Sequence, residues 1–274
     1  MKYPTPTGGK SQQFMLGNID TIFTFYQPKP PISKFVDCFW LYQGHNPERK
    51  TELILPTGRL ELVFNLRRDE MLFSGAFGRS FVPAAQEDLC MIGVHFKPGG
   101  AFPFLGLPAG DLADIHVDLD LIWGSLAVRL RERLCEAGTS AERFHIIEKA
   151  LLDRLSRGFE HHYAIPVALE MFGSNSGGPI IRETAKYLGL SQRRFIQVFK
   201  MEVGITPKLF SRIQRFQKMR FLIDSDQSPD WASLAFDLGY FDQSHLISEF
   251  HEFSGLSPTD YIARHKNPTE YVKR

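Results

Sequence analysis

One pattern occurs twice in this chain, about fifty residues apart, and it constrains the fold more than any other feature. The first copy runs Ile181, Ala185, Leu188, Gly189, Ser191, Phe195, Phe199, Gly204, Thr206, Pro207, Phe210. The second runs Trp231, Ala235, Leu238, Gly239, Asp242, Leu246, Phe250, Gly255, Ser257, Pro258, Tyr261. The offset is fifty residues up to the first glycine and fifty-one beyond it, so the second turn holds one extra residue. Within each copy apolar residues fall at helical spacing, a glycine ends the helix by accepting a positive φ, and a new helix begins. That is a helix-turn-helix, present twice.

Ser191 and Asp242 stand where the second helix of each unit needs an N-cap. In the first unit Phe195, Val198 and Phe199 turn inward, leaving Gln192, Arg193, Arg194, Ile196, Gln197 and Lys200 as the outward set. Arginine can bond guanine and glutamine can bond adenine in a major groove, so this is the candidate base-reading face. In the second unit the outward residues are Gln243, Ser244, His245 and Ser248, polar but uncharged, with Glu249 beside them.

Charge separates the two units. Residues 177–222 hold ten Lys and Arg against two acids, a net +8, whereas residues 223–263 hold eight acids and no Lys or Arg, a net −8. Phosphate attraction supplies much of protein–DNA affinity, so the first unit is expected to dominate binding, while the second adds weak specificity, waits on a partner or packs against the amino-terminal part. The segment after Pro207 extends the basic footprint: Leu209, Ile213, Phe216 and Ile223 face a core while Lys208, Arg212 and Arg215 face phosphates. Glu249 and Glu252 are expected to repel phosphates.

The run Gly239-Tyr-Phe-Asp-Gln-Ser-His-Leu, followed by Phe250, Gly255-Leu-Ser-Pro and Tyr261, resembles the signature of the AraC/XylS family of transcription regulators. The resemblance covers roughly the last hundred residues. It implies two helix-turn-helix units joined by a long helix, double-stranded DNA as partner, and RNA polymerase as a further candidate partner. That family commonly carries basic residues where this second unit carries none.

Upstream, residues 1–18 are rich in Thr, Pro, Gly and Gln and read as an arm or loose strand. Between Thr21 and Phe96, short β-branched and aromatic runs are punctuated by Pro and Gly, which predicts strands at 21–26, 35–42, 52–55, 59–66, 71–74 and 89–96. Pro56-Thr-Gly reads as a hairpin turn and residues 65–71 as a longer connection. On strand 59–66 alternation puts Leu60, Leu62, Phe64 and Leu66 on one face and Arg59, Glu61, Val63 and Asn65 on the other. That second face meets water or lines a ligand cavity; Trp40, Arg59, Glu61 and Asn65 are the candidates in the cavity reading. Gly93-Val-His-Phe-Lys-Pro-Gly-Gly-Ala, with Leu105-Gly-Leu-Pro-Ala-Gly and Ile122-Trp-Gly, resembles the uncharacterised β-rich, cupin-like domain that precedes one group of AraC-like regulators. The resemblance implies sensing of a small-molecule effector or another signal.

Leu119 to Leu134 and Phe144 to Leu155 carry apolar stripes at helical spacing, with Thr139 or Ser140 as the second cap. This antiparallel hairpin packs on the β-rich part or forms a homodimer seam. Gly173-Ser-Asn-Ser-Gly-Gly-Pro reads as linker, although 165–172 is alternatively the first helix of the DNA-binding part. The expected organisation is α+β: a β-rich sensor at 1–118, a helical hairpin at 119–158, and a double helix-turn-helix at 159–274, with the boundary near Phe159.

No window approaches the ~18 apolar residues of a membrane span, and no basic start leads into an apolar run, so a soluble cytoplasmic protein is expected. Cys38, Cys90 and Cys135 are odd in number and far apart, and each reads as a small buried hydrophobe. The rival class is a metal-dependent cupin enzyme, since His116-Val-Asp118 has the H-x-D spacing of some non-haem iron sites. His45 and His95 are isolated, however, and His116 follows the predicted sheet, so His116 reads as a loop or surface residue. G-x-S-x-G, P-loop and G-x-G-x-x-G patterns are absent, and no cofactor or metal is implied. A third class is an interaction protein that kept the repeat and lost DNA binding; Arg193, Arg194 and Gln197 argue against it.

Overall fold

The computed structural model describes residues 12–15, 21–45, 53–84, 86–155, 161–174, 181–225 and 229–266. The chain is α+β. Seven strands form one antiparallel sheet: β1 Gln12–Met15, β2 Thr21–Tyr26, β3 Val36–His45, β4 Glu61–Asn65, β5 Glu70–Ser74, β6 Asp88–Phe96 and β7 His116–Asp118. Their spatial order is β1-β2-β3-β6-β4-β5-β7. Alternation decides which face is dry. Phe39, Leu41, Leu62, Phe64, Phe73, Ile92, Val94 and Phe96 all point one way and are buried.

That dry face is covered by helices. A short α1 (Phe102–Leu105) and α2 (Leu119–Trp123) lead into α3 (Ser125–Glu136) and α4 (Ser140–Leu155). The predicted first hairpin helix is in fact two, because Gly124 at φ 56° breaks it. Thr139 caps α4: its Oγ1 accepts from the Glu142 N–H at 3.2 Å, while Glu142 accepts from the Gly138 and Thr139 N–H groups. Of the two places open to the hairpin's apolar stripe, the sheet is the one it occupies: the Phe144 ring lies 5.8 Å from Tyr26 and 6.2 Å from Phe39.

The remaining helices are α5 (Ala164–Ser174), α6 (Ile181–Tyr187), α7 (Gln192–Val203), α8 (Pro207–Ser225), α9 (Trp231–Asp237), α10 (Gln243–Ser254) and α11 (Pro258–Lys266). Here α5 docks as the first helix of the carboxy-terminal part: Phe172 packs on Phe199 at 5.5 Å and on Phe210 at 6.0 Å. Residues 175–180, which hold most of the expected linker, and Phe159 lie outside the described residues, as do most of the expected arm and Glu52.

Several local expectations change. Residues 52–55 give no strand among the described residues, only a bridge between Ile54 and Phe81. Among the described residues Pro56-Thr-Gly joins no two strands, and its Pro56 and Thr57 carbonyls accept from α8. The connection after β4 is instead a tight hairpin, with Asn65 Oδ1 accepting from the Arg67 and Arg68 N–H groups and Asp69 at φ 58°. His116 belongs to the sheet, pairing with Ser74. Cys38 and Cys90 are buried but Cys135 is exposed.

Candidate nucleic-acid interface

Each unit of the repeat is a helix, a glycine turn and a capped second helix. Gly189 and Gly239 sit at φ 68° and 72°, where a side chain would be strained, and they turn the chain from α6 into α7 and from α9 into α10. Ser191 Oγ accepts from the Arg194 N–H at 3.2 Å, and Asp242 Oδ1 from the His245 N–H at 2.7 Å. Phe195, Val198 and Phe199 anchor α7, and Leu246, Phe250 and Phe253 anchor α10. The Phe216 ring on α8 packs 5.3 Å from Phe250. The second helix of each unit is therefore fixed by its apolar side.

The opposite side of α7 is open. Gln192, Arg193, Arg194, Gln197 and Lys200 are exposed and Ile196 is half-buried. Among the described residues no carboxylate pairs with Arg193, Arg194 or Lys200. On α10, Gln243, Ser244, His245 and Ser248 are likewise exposed, and Lys208 is exposed on the first turn of α8.

Arg212 is placed differently from the sequence expectation. Its Nε donates to Glu249 Oε2 at 2.8 Å and its two outer nitrogens donate to the Glu252 carboxylate. Arg215 donates to Glu249 through Nε at 3.0 Å and Nη2 at 2.8 Å, and the Tyr240 hydroxyl donates to the same carboxylate at 2.9 Å. Both guanidiniums also lie over rings, Arg212 5.0 Å from Phe253 and Arg215 4.2 Å from Tyr240. Glu249 is only 2% exposed, so it is an internal counter-ion and not a phosphate-facing acid. Hydrogen bonds to Glu252 and Glu249 push the Arg212 pKa further up, and the bond from Arg212 holds Glu252 below the usual carboxylate range. The signal was in the sequence: arginines three apart on one helix face glutamates three apart on another.

The other buried acid was also missed. Glu202, near the end of α7, is 1% exposed and accepts from His161 Nδ1 at 2.7 Å and from the His162 N–H at 2.9 Å. It ties the segment before α5 to the back of α7.

Both units also rest on the β-rich part. Gln217 Nε2 donates to the Pro56 carbonyl at 2.6 Å and Gln214 to that of Thr57 at 3.4 Å. The Ser80 N–H donates to the Phe253 carbonyl at 2.9 Å. A Cβ on Gly110 would lie 2.9 Å from the Lys200 carbonyl, so α7 approaches the 3₁₀ turn Ala109–Leu112 backbone to backbone. These contacts leave the outward residues of α7 and α10 exposed.

The second sheet face gathers the effector candidates unevenly. Register aligns Cys38, His95, Glu61, Ser74 and His116 in one row, and Trp40, Gly93, Val63 and Leu72 in the next. His95 Nδ1 meets Glu61 Oε1 at 2.9 Å. Burial pushes the Glu61 pKa up, but His95, Arg59 and His116 outweigh it and hold the carboxyl low. The His116 ring packs 4.9 Å from Phe77 and 5.3 Å from Phe81, and burial lowers its pKa. The Trp40 indole lies over Gly93, where a Cβ would come within 2.4 Å of the ring. Its Nε1 is buried, with no acceptor among the described residues. Arg59 instead pairs with Asp37 at 2.7 Å, and Asn65 is spent on the β4–β5 turn and Gln86. Trp40 and Glu61 thus share a face with His95 and His116, while Arg59 and Asn65 serve local structure. His45 lies apart, paired with Asp88 at 2.9 Å.

Residues 24–118 match a domain of unknown function, DUF6597, and residues 184–264 match a helix-turn-helix domain. An uncharacterized HTH-type transcriptional regulator of Haemophilus influenzae is 30% identical over 81 residues, which is 30% of this chain and 27% of that protein. The chain therefore aligns with about a quarter of that relative's length. Among solved structures, a probable AraC family transcriptional regulator from Rhodopseudomonas palustris is 22% identical, with 38% of this chain and 97% of that chain covered and a TM-score of 0.34. ToxT from Vibrio cholerae is 9% identical, with 93% and 97% covered and a TM-score of 0.41. No helix among the described residues is long and apolar enough to cross a membrane.

Proposed function

We propose that this chain, which carries an AraC-type helix-turn-helix domain behind a domain of unknown function, is a sequence-specific DNA-binding transcriptional regulator. One observation carries the reading: α7 is anchored by three buried side chains and turns Gln192, Arg193, Arg194, Gln197 and Lys200 outward. A helix held from behind, with arginine and glutamine in front, can enter a major groove without rearranging. Arg193 and Gln197 read base edges, Ile196 contacts a thymine methyl, and Gln192, Arg194, Lys200 and Lys208 meet phosphates. Gln243, Ser244, His245 and Ser248 add uncharged contacts from the second unit.

The β-rich part is the sensor in this reading. Segments 54–60 and 75–81 lead from the Glu61, His95 and His116 row to the contacts on α8 and α10, which gives an effector a route to the connecting helix and the second unit. An effector acts only by binding one arrangement of these contacts more tightly than another. The test is binding of the full chain to its own upstream DNA against scrambled duplex. Preference for the upstream DNA, lost in Arg193→Ala, is expected; equal binding to both, unchanged by that substitution, contradicts the reading.

A further inference from the structure

We propose that Glu252 withholds Arg212 from DNA phosphate, so that the connecting helix α8 offers this charge to the DNA backbone only when that ion pair opens. The inference rests on the DNA-binding reading and concerns one arginine within it. The Arg212 guanidinium is held from two sides that differ in kind. Its Nε is on Glu249, which is 2% exposed and shared with Arg215 and Tyr240. Its outer nitrogens, the ones a phosphate would take in a bidentate grip, are on Glu252.

Glu252 is an accessible holder. Its side chain is 46% exposed, so its two bonds to Arg212 are open to solvent and screened by salt. Arg212 also lies one helical turn beyond Lys208, which is exposed and belongs to the phosphate-contacting set. The carboxylate and a phosphate would thus compete for the same two nitrogens, with the buried half of the fork already aimed. Among the described residues the other charge acting on Glu252 is Arg79, from the loop after β5, and the Ser80 N–H of that loop holds the neighbouring Phe253 carbonyl. The two acids of α10 then divide by role. Glu249 builds the interface between α8 and α10, and Glu252 sets how much of Arg212 the DNA receives.

The experiment is fluorescence anisotropy of the full chain with a random-sequence duplex across a salt series, comparing the unsubstituted chain, Glu252→Gln, Arg212→Ala and the double variant. Glu252→Gln is expected to tighten binding by on the order of fivefold and to steepen the slope of log K against log salt by about one, as one added phosphate contact does. The gain should vanish in the double variant. Unchanged or weaker binding by Glu252→Gln overturns the proposal. So does a gain that persists in the double variant, because that is general relief of repulsion. Arg193→Ala is run alongside. If it weakens binding and Glu252→Gln has no effect, only this inference fails; if neither Glu252→Gln nor the unsubstituted chain binds, both readings fail.

Discussion

The two helix-turn-helix units share a backbone plan and differ in where their charges go. In the first, the basic residues of α7 stay exposed and the one buried acid, Glu202, faces backward onto His161 and His162. In the second, the buried acid Glu249 faces sideways and draws in Arg212 and Arg215 from the connecting helix. The lesson is that net charge counted along a segment is not the field a ligand meets. Part of the second unit's −8 and part of the first unit's +8 cancel inside the protein, so the outward contrast is smaller than the sequence count and rests on fewer residues.

The largest expected effect breaks the second unit's internal wiring. Glu249→Ala leaves two guanidiniums facing each other without their shared counter-ion. It should cost about 3 kcal/mol in chemical denaturation, the low end for a broken buried pair because both arginines keep some solvent contact. A loss below about 1 kcal/mol would mean that the network is ornamental and that the two units differ less than described.

Base reading should differ next. Arg193→Ala is expected to cost ~1–3 kcal/mol at one base position, with a smaller loss for Gln243→Ala. Binding to a panel of single-base operator variants measures both. A larger loss at Gln243 would reverse the ranking of the units.

The caps should sharpen the comparison by showing no difference. Ser191→Ala and Asp242→Ala each remove one N-cap bond and should each cost about 1 kcal/mol of stability. Unequal values would place a functional load on one cap.

The smallest effect is a pH dependence carried by Glu252. Its folded pKa lies below the ordinary value, so its contribution is present above the unfolded pKa and fades as pH falls through the folded one. Comparing Tm against pH for the unsubstituted chain and Glu252→Gln should show curves that are separate at neutral pH and converge under acid. Curves that stay parallel would mean that the pair adds nothing to stability.

Much of this was legible in the sequence, and the reasons are physical. The repeat could be read because helix periodicity, glycine turns and caps all mark the same positions, and local signals that agree are hard to misread. The long strands were readable because alternation over Arg59 to Leu66 matches a sheet with one dry face. What escaped were features set by partners distant in sequence. The short strand β7 has only three residues and exists because β5 offers it an edge. Pro56-Thr-Gly has hairpin chemistry, but α8 supplies the donors that fix it. Arg212 has the helical phase of a phosphate contact, and only the packing of α10 against α8 reveals the competing carboxylates. Likewise alternation along β4 puts Glu61 on the second sheet face, whereas the alignment of His95 and His116 with Glu61 depends on strand register.

The central claim is that DNA affinity comes from the exposed basic residues of α7, while the second unit offers no such residue and its buried acid, Glu249, holds Arg212 and Arg215 of the connecting helix. Its most direct test is the salt dependence of duplex binding by the full chain after neutralising Arg193, Arg194 and Lys200 together. The slope of log K against log salt should flatten by about two to three. A slope unchanged by that triple substitution, with a loss instead on altering Gln243 and Ser248, would contradict it.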